Sequence, residues 1–224
     1  TSGTATFNLD LNQIVEEAFE RCGSEMRTGY DLRTARRSLN LLMAEWANRG
    51  INLWTIDEGT VSLTEDTITY NLPADTIDLL EQVIRTGTGT SQEDINITRI
   101  SASSYGVIPN KNSTGRPVQV WINRQVAQPT INVWPAPEDN TYTFVYWALK
   151  RIEDAGTGVT NQDIPFRFLP CLVAGLSFYL SLKIPNAGDR TQFLKQEYEE
   201  QWVLASTEDR EKSDLRIVPK RQSI

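Results

Sequence analysis

Residues 166–184 read FRFLPCLVAGLSFYLSLKI. Wound as a helix, this stretch carries apolar side chains on nearly every side, and such a helix is buried on most of its surface. Pro170 must sit in the first turn or kink the helix, and Pro185 stops it. Ala174, Gly175 and Ser177 are small enough for a neighbouring helix to approach closely. A helix of this kind requires partners, and they are sought on both sides of it.

Downstream, a helix is predicted from Asp189 to Arg210. Leu194, Tyr198, Trp202 and Ala205 form its apolar stripe, and Glu197, Glu199 and Glu200 its wet side. The other partners lie at the opposite end of the chain. Asp10 as N-cap and Gly23 as stop bound a helix over Leu11–Arg21. A second is predicted from Leu32 to Asn48, capped by Asp31 and stopped by Gly50. Its apolar positions are Leu32, Ala35, Leu39, Leu42, Met43, Trp46 and Ala47. Arg33, Arg36, Arg37 and Asn40 lie on the other side, which is either a solvated face or a contact for an acidic partner surface. Each helix pair is too small to make a core alone. The economical arrangement is one body built from both ends of the chain.

Between the helices the period changes from 3.6 to 2. Val61 and Leu63 alternate, Glu65-Asp66 turns the chain, and Ile68, Tyr70 and Leu72 alternate again, which reads as a hairpin ended by Pro73. Residues 77–85 and 94–100 read as a second pair of strands. The TGTGTSQ between them (residues 86–92) holds only small or polar groups, predicting a mobile tip. Its Gly87 and Gly89 do not make a nucleotide loop, because no third glycine and no helix follow at the required spacing. Val118, Val120 and Ile122, then Ile131 and Val133, then Tyr142, Phe144 and Tyr146 mark three further strands. WPAPEDN forms a loop between the last two, since Pro135 and Pro137 cannot donate to a ladder. Fold class is therefore α+β. A helical body (residues 1–54 and 160–212) carries an inserted antiparallel β subdomain (55–159) and ends in an extended C-terminal arm (213–224).

Composition bounds the chemistry. The chain has 224 residues, and 22 Lys+Arg against 29 Asp+Glu leave a net charge of −7. A chain of this length buries roughly 70% of its unfolded surface and needs no staples. Histidine is absent, which removes Ser-His-Asp triads, Cys-His dyads and His-ligated metals. The two cysteines, Cys22 and Cys171, read as buried, reduced thiols of a cytosolic product rather than a disulfide framework. No run approaches the roughly 20 apolar residues of a membrane span. The start TSGTATFNLDLN has neither a basic nor an apolar region, so no signal peptide is expected. The acidic balance argues against a general DNA binder. Carboxylates cluster at Glu16-Glu17, Glu197–Glu200 and Glu208–Glu211, all on expected wet helix faces. Paired acid/base work needs one carboxyl held in an apolar pocket, so these read as solvated. No cofactor or metal is implied.

Two features remain. Six tryptophans is a high count, and Trp121, Trp134 and Trp147 all fall in the β run. They are either core or interface packing, or a stacking platform for sugars or bases. The chain ends LRIVPKRQSI (residues 215–224), with Arg216, Lys220 and Arg221 but no acid. Leu215, Ile217, Val218 and Ile224 are too apolar for a plain solvated tail. The segment is either a disordered end or a docking arm that orders on a partner.

Taken in order, RRSLNLLMAEWANRGINLW (36–54), a hairpin ending YNLP (70–73), GRPVQVWIN (115–123), INVWPAPED (131–139), YTFVYWALKRIEDAG (142–156), IPFRFLPCLVAGLSFYLSLK (164–183) and a Glu-rich last helix resemble the head-to-tail adaptors of short-tailed bacteriophages. These are also called tail tubular protein A or tail accessory factor. The likeness spans nearly the whole chain. It implies a structural virion protein, not an enzyme, assembled in the bacterial host cytoplasm. Twelve copies would form a ring between the portal protein and the tail nozzle, a homo-oligomer lining a channel through which DNA passes without specific binding. No membrane is involved. The arm Leu215, Arg216, Ile217, Val218, Lys220, Arg221 and Ile224 would then bind the portal. Arg33, Arg36, Arg37 and Asn40 become candidates for a subunit interface, and Trp121, Trp134 and Trp147 for the tail side. The alternative is a carbohydrate- or receptor-binding module of the tail that uses the tryptophan-rich β region.

Overall fold

The computed structural model describes residues 3–4, 6–50, 53–157 and 159–209. The chain divides into two compact units, one of residues 1–53 with 153–224 and one of Trp54–Ile152. Helices occupy both ends and β-sheets the middle, so the fold is α+β.

Among the described residues the helical unit holds four α-helices: α1 (Leu11–Arg21), α2 (Gly29–Arg49), α4 (Leu169–Ser181) and α5 (Gly188–Glu208). The first starts where sequence predicts. Asp10 accepts from the Gln13 N–H at 2.9 Å while Gln13 Oε1 accepts from the Asp10 N–H at 3.1 Å, a reciprocal capping box. The second starts three residues earlier than expected. Thr28 is its N-cap, and Asp31 is the third residue of the same kind of box, accepting from the Thr28 N–H. Those backbone N–H groups, Arg27's above all, hold the Asp31 carboxyl below its ordinary pKa. Gly50 ends α2 at φ 86°, a left-handed position that spares glycine the Cβ clash.

The apolar segment first noted becomes α4, with Pro170 in its first turn and ten of its residues buried. It packs against α1, α2 and α5, the former two from one chain end and the latter from the other. The close approach expected at its small residues is present. A Cβ on Gly175 would stand 2.8 Å from Leu42 of α2 and 2.9 Å from Tyr198 of α5. Trp46, fully buried, satisfies its indole N–H on the Tyr198 hydroxyl at 3.2 Å. Truncating such a side chain to Ala costs about 3–5 kcal/mol. The ends are also tied directly, since the Leu11 N–H donates to the Thr160 carbonyl at 3.2 Å. The segment ahead of α4 belongs to this unit, and the Ala155 N–H donates to the Asn40 side chain at 2.9 Å.

The β unit holds β1 (Ile56–Ser62), β2 (Thr69–Asn71), β3 (Thr76–Thr86), β4 (Glu93–Asn96), β5 (Thr98–Ile100), β6 (Gln119–Asn123), β7 (Thr130–Trp134) and β8 (Thr143–Lys150), with a short α3 (Ala102–Gly106). They form two four-stranded sheets, ordered β1-β8-β3-β4 and β2-β7-β6-β5. All named pairings are antiparallel except β5 with β6. One cluster is drawn from both sheets, including Leu72, Leu79, Ile84, Val120, Val133 and Phe144. The unit is therefore a β-sandwich, with period-two burial along β2, β6 and β7.

Two expectations change. Val61–Leu72 is not a hairpin: β1 pairs with β8 and β2 with β7. The turn at Glu65-Asp66 instead carries the chain from one sheet to the other. The Tyr70 hydroxyl fastens that corner by donating to the Thr67 carbonyl at 2.9 Å and accepting from the Thr64 N–H at 2.9 Å. Residues 94–100 likewise split at Ile97, with β4 in one sheet and β5 in the other. The chain also crosses between sheets from β2 to β3, past Pro73, and from β7 to β8, through the WPAPEDN loop. The expected tip at 86–92 joins β3 to β4 and is exposed over Gly87–Gln92. It includes one short 3-10 turn at Gly89–Ser91.

Candidate functional site

The surfaces of α2 follow from its period. Ala35, Ser38, Leu39, Leu42, Met43 and Trp46 turn inward, so Arg33, Arg36 and Arg37 are exposed on the far side. Among the described residues none of these three arginines forms an ion pair. Near them, the Lys183 ammonium donates to Ser38 Oγ at 2.7 Å. Partial burial, and then the Arg37 charge, push its pKa below the ordinary lysine value. The result is a local excess of positive charge on an acidic chain. Asn40 does not join that face, because its side-chain oxygen is taken by the Ala155 N–H.

The acids of α5 are placed differently from expectation. Glu197 and Glu199, read as wet-side groups, bond across the unit. Glu197 pairs with Arg21 at 2.8 Å, and Glu199 receives two bonds of 3.1 Å from Arg49. Arg49 also pairs with Glu45 at 2.6 Å and lies 4.7 Å from the Trp202 ring centroid. The Arg49 hydrogen bonds hold Glu199 below its ordinary pKa. Glu45 accepts from the Tyr179 hydroxyl at 2.5 Å, and burial with that bond lifts Tyr179 to about 12. This network joins α2, α4 and α5. Among the described residues no group of His, Cys, Asp and Glu is arranged to hold a metal. Among the described residues, too, no single helix is long and apolar enough to cross a membrane.

The three tryptophans do not share one region. Phe144, Tyr146 and Ala148 of β8 point into the sandwich, so Trp147 points out of the β1-β8-β3-β4 sheet, in register with Glu58 and Glu81. Trp121 and Trp134 lie on the outer side of the opposite sheet, because Val120, Ile122 and Val133 take the inner side. Both are engaged there. Trp121 stacks on Tyr105 of α3 at 5.2 Å between centroids, and the Trp134 indole N–H donates to the Asn110 carbonyl at 3.0 Å. They fix the 101–112 segment to the sheet.

Within the helical unit two open grooves stand out. One, of about 970 Å³, is lined by polar and charged groups of the α1–α2 turn, among them Arg27, Arg37 and Lys183. The other, of about 640 Å³, runs between α1 and the start of α4 and is more apolar, with Phe7 and Phe166 on it. Neither was foreseen, since their walls come from residues far apart in sequence. The proposed arm, Leu215, Arg216, Ile217, Val218, Lys220, Arg221 and Ile224, lies outside the described residues, as does Arg210, where the last helix was expected to end.

A chain with packed helices, a braced sandwich and exposed basic and apolar surfaces is equipped to be held by other proteins. The model of the SU10 adaptor protein family matches residues 10–218. The chain belongs to that family of phage head–tail adaptors. No curated protein matches it. As an SU10-type adaptor it is a structural component of a phage virion and associates with other virion components. The match begins at Asp10, the cap of α1, and runs past α5, so the adaptor family is defined over both units.

Proposed function

We propose that the chain forms a closed ring, of twelve copies, between the portal protein and the tail nozzle, and that it lines the DNA channel without catalysis. The observation that carries this reading is the adaptor family match over residues 10–218. Closed rings use heterologous interfaces, so two different faces of each copy must fit each other. The exposed Arg33, Arg36 and Arg37 of α2 are assigned to one such face. Asn40 is left out of it because it is spent on the Ala155 backbone. A net charge of −7 suits a channel in which DNA slides, since tight grip on phosphates needs a basic surface. In this reading the β unit faces the nozzle, and assembly takes place in the host cytoplasm from monomers.

The segment Leu215–Ile224 is assigned to the portal: it is apolar and basic in an acidic chain. Deleting it tests the assignment. The helical circular dichroism should stay unchanged while retention on immobilised cognate portal is lost. Full retention by the shortened chain would remove the arm from the portal contact.

A further inference from the structure

Among the described residues nothing covers the groove between α1 and α4. Phe7 and Phe166 line it and are 72% and 71% exposed, while Leu169 and Val173 form part of its buried floor. Exposed phenylalanines on one concavity mark a place built to be covered. One rim is acidic. Glu16, Glu17 and Glu20 lie along it; Glu17 pairs with Arg21, but among the described residues Glu16 and Glu20 form no ion pair.

The end of the chain has matching chemistry. Residues 215–224 offer Leu215, Ile217 and Val218 for the floor and Arg216, Lys220 and Arg221 for the rim, with no acid among them. The exit point is also suitable. Leu204, Ala205 and Glu208 of the last turns of α5 share a small cavity with Arg167 and Phe168, and Arg167 is itself a wall of the groove. The fifteen residues after Asp209 extend at most about 50 Å, ample for a path that begins at the groove's edge.

We propose that, in the free chain, residues 215–224 dock in the α1–α4 groove of their own molecule. Apolar side chains cover Phe7 and Phe166, and the basic ones meet Glu16 and Glu20. This goes beyond the ring-and-portal reading and does not require it. Where both hold, docking and portal capture compete for the same ten residues, so the arm is stored until a portal displaces it.

Disulfide trapping tests this in the full-length chain. Gln13 lines the groove and is exposed, so Gln13→Cys with Ile217→Cys places one thiol on each side of the contact. The native thiols do not interfere, because both are buried and their pKa values are raised. An internal bridge should form about tenfold faster than in the control pair Arg36→Cys with Ile217→Cys, at a rate independent of protein concentration. Adding Glu16→Lys and Glu20→Lys should slow it about fivefold, and salt should slow the unreversed pair in the same direction. Equal rates in the groove and control pairs, or bridges only between chains, would overturn the proposal. The outcome stands apart from portal binding, which is not measured.

Discussion

The tight contact at Gly175 gives a substitution whose sign can be argued in advance. Replacing Gly by Ala in a helix interior gains about 1 kcal/mol from backbone entropy. At Gly175 the new methyl would stand 2.8 Å from Leu42 and 2.9 Å from Tyr198, closer than side-chain carbons approach, and both neighbours are buried. Overpacking of a well-filled core costs about 1–3 kcal/mol. The cost wins, leaving a net loss of about 1 kcal/mol for Gly175→Ala. Gly175→Val adds two more carbons to the same space and recovers less propensity, for a loss of about 3 kcal/mol. Gly29 is the internal control. It opens α2 with nothing within 4 Å of where a Cβ would stand, so Gly29→Ala should stabilise by about 0.4–1 kcal/mol. Thermal unfolding followed at 222 nm reads the helical unit, which holds all the long helices. At about 2–4 °C per kcal/mol, Gly29→Ala should raise the midpoint while Gly175→Ala lowers it by a few degrees. A rise at both positions would refute the claim that helices from the two chain ends close on α4.

Three further outcomes follow from named contacts. Burial lifts the thiol of Cys22 to about 11 and that of Cys171 to about 12, so at pH 8 fewer than about one thiol in a thousand is ionised. Native protein should leave a chromogenic disulfide reagent unreduced, whereas urea-unfolded protein releases two equivalents; rapid native labelling would contradict the burial. Trp121 and Trp134 are held by Tyr105 and Asn110, so host-surface glycans should leave tryptophan emission unchanged, and a saturable shift would restore the sugar-binding reading. Glu199 has a lowered folded pKa, so the stability it contributes is present above its unfolded value and is lost as pH falls through the folded one. Glu199→Gln should therefore flatten the acid limb of the stability curve below about pH 4, and an unchanged limb would deny the Arg49 pairing.

Local signals were legible in the sequence, whereas pairing over distance was not. The bounds of α1 follow from Asp10, Gln13 and a stripe of period 3–4, all within one helix. At α2 two cap-forming residues stand three apart, and the inner one, Asp31, was read as the cap while Thr28 holds that place. Both are members of one box, which a choice of a single cap cannot express. In the β unit, alternation marked the strands but not their partners. Ile56 pairs with Leu149, a contact no turn chemistry between Glu65 and Asp66 discloses. That is why Trp147 fell on a different sheet from Trp121 and Trp134. The α1–α4 groove was equally hidden, because Phe7 precedes α1 and Phe166, read as part of the apolar helix, stands in a 3-10 turn before it. The adaptor resemblance was visible because it rests on the order of segments rather than on their contacts.

The reading as a ring-forming adaptor is tested most directly by mixing the full chain with its cognate portal and imaging the product by cryo-electron microscopy. The account predicts a closed ring of twelve copies seated on the portal, with the helical units of neighbours in contact and the arms reaching the portal. Chains that stay unbound at micromolar concentration, or that bind singly without touching one another, would contradict it.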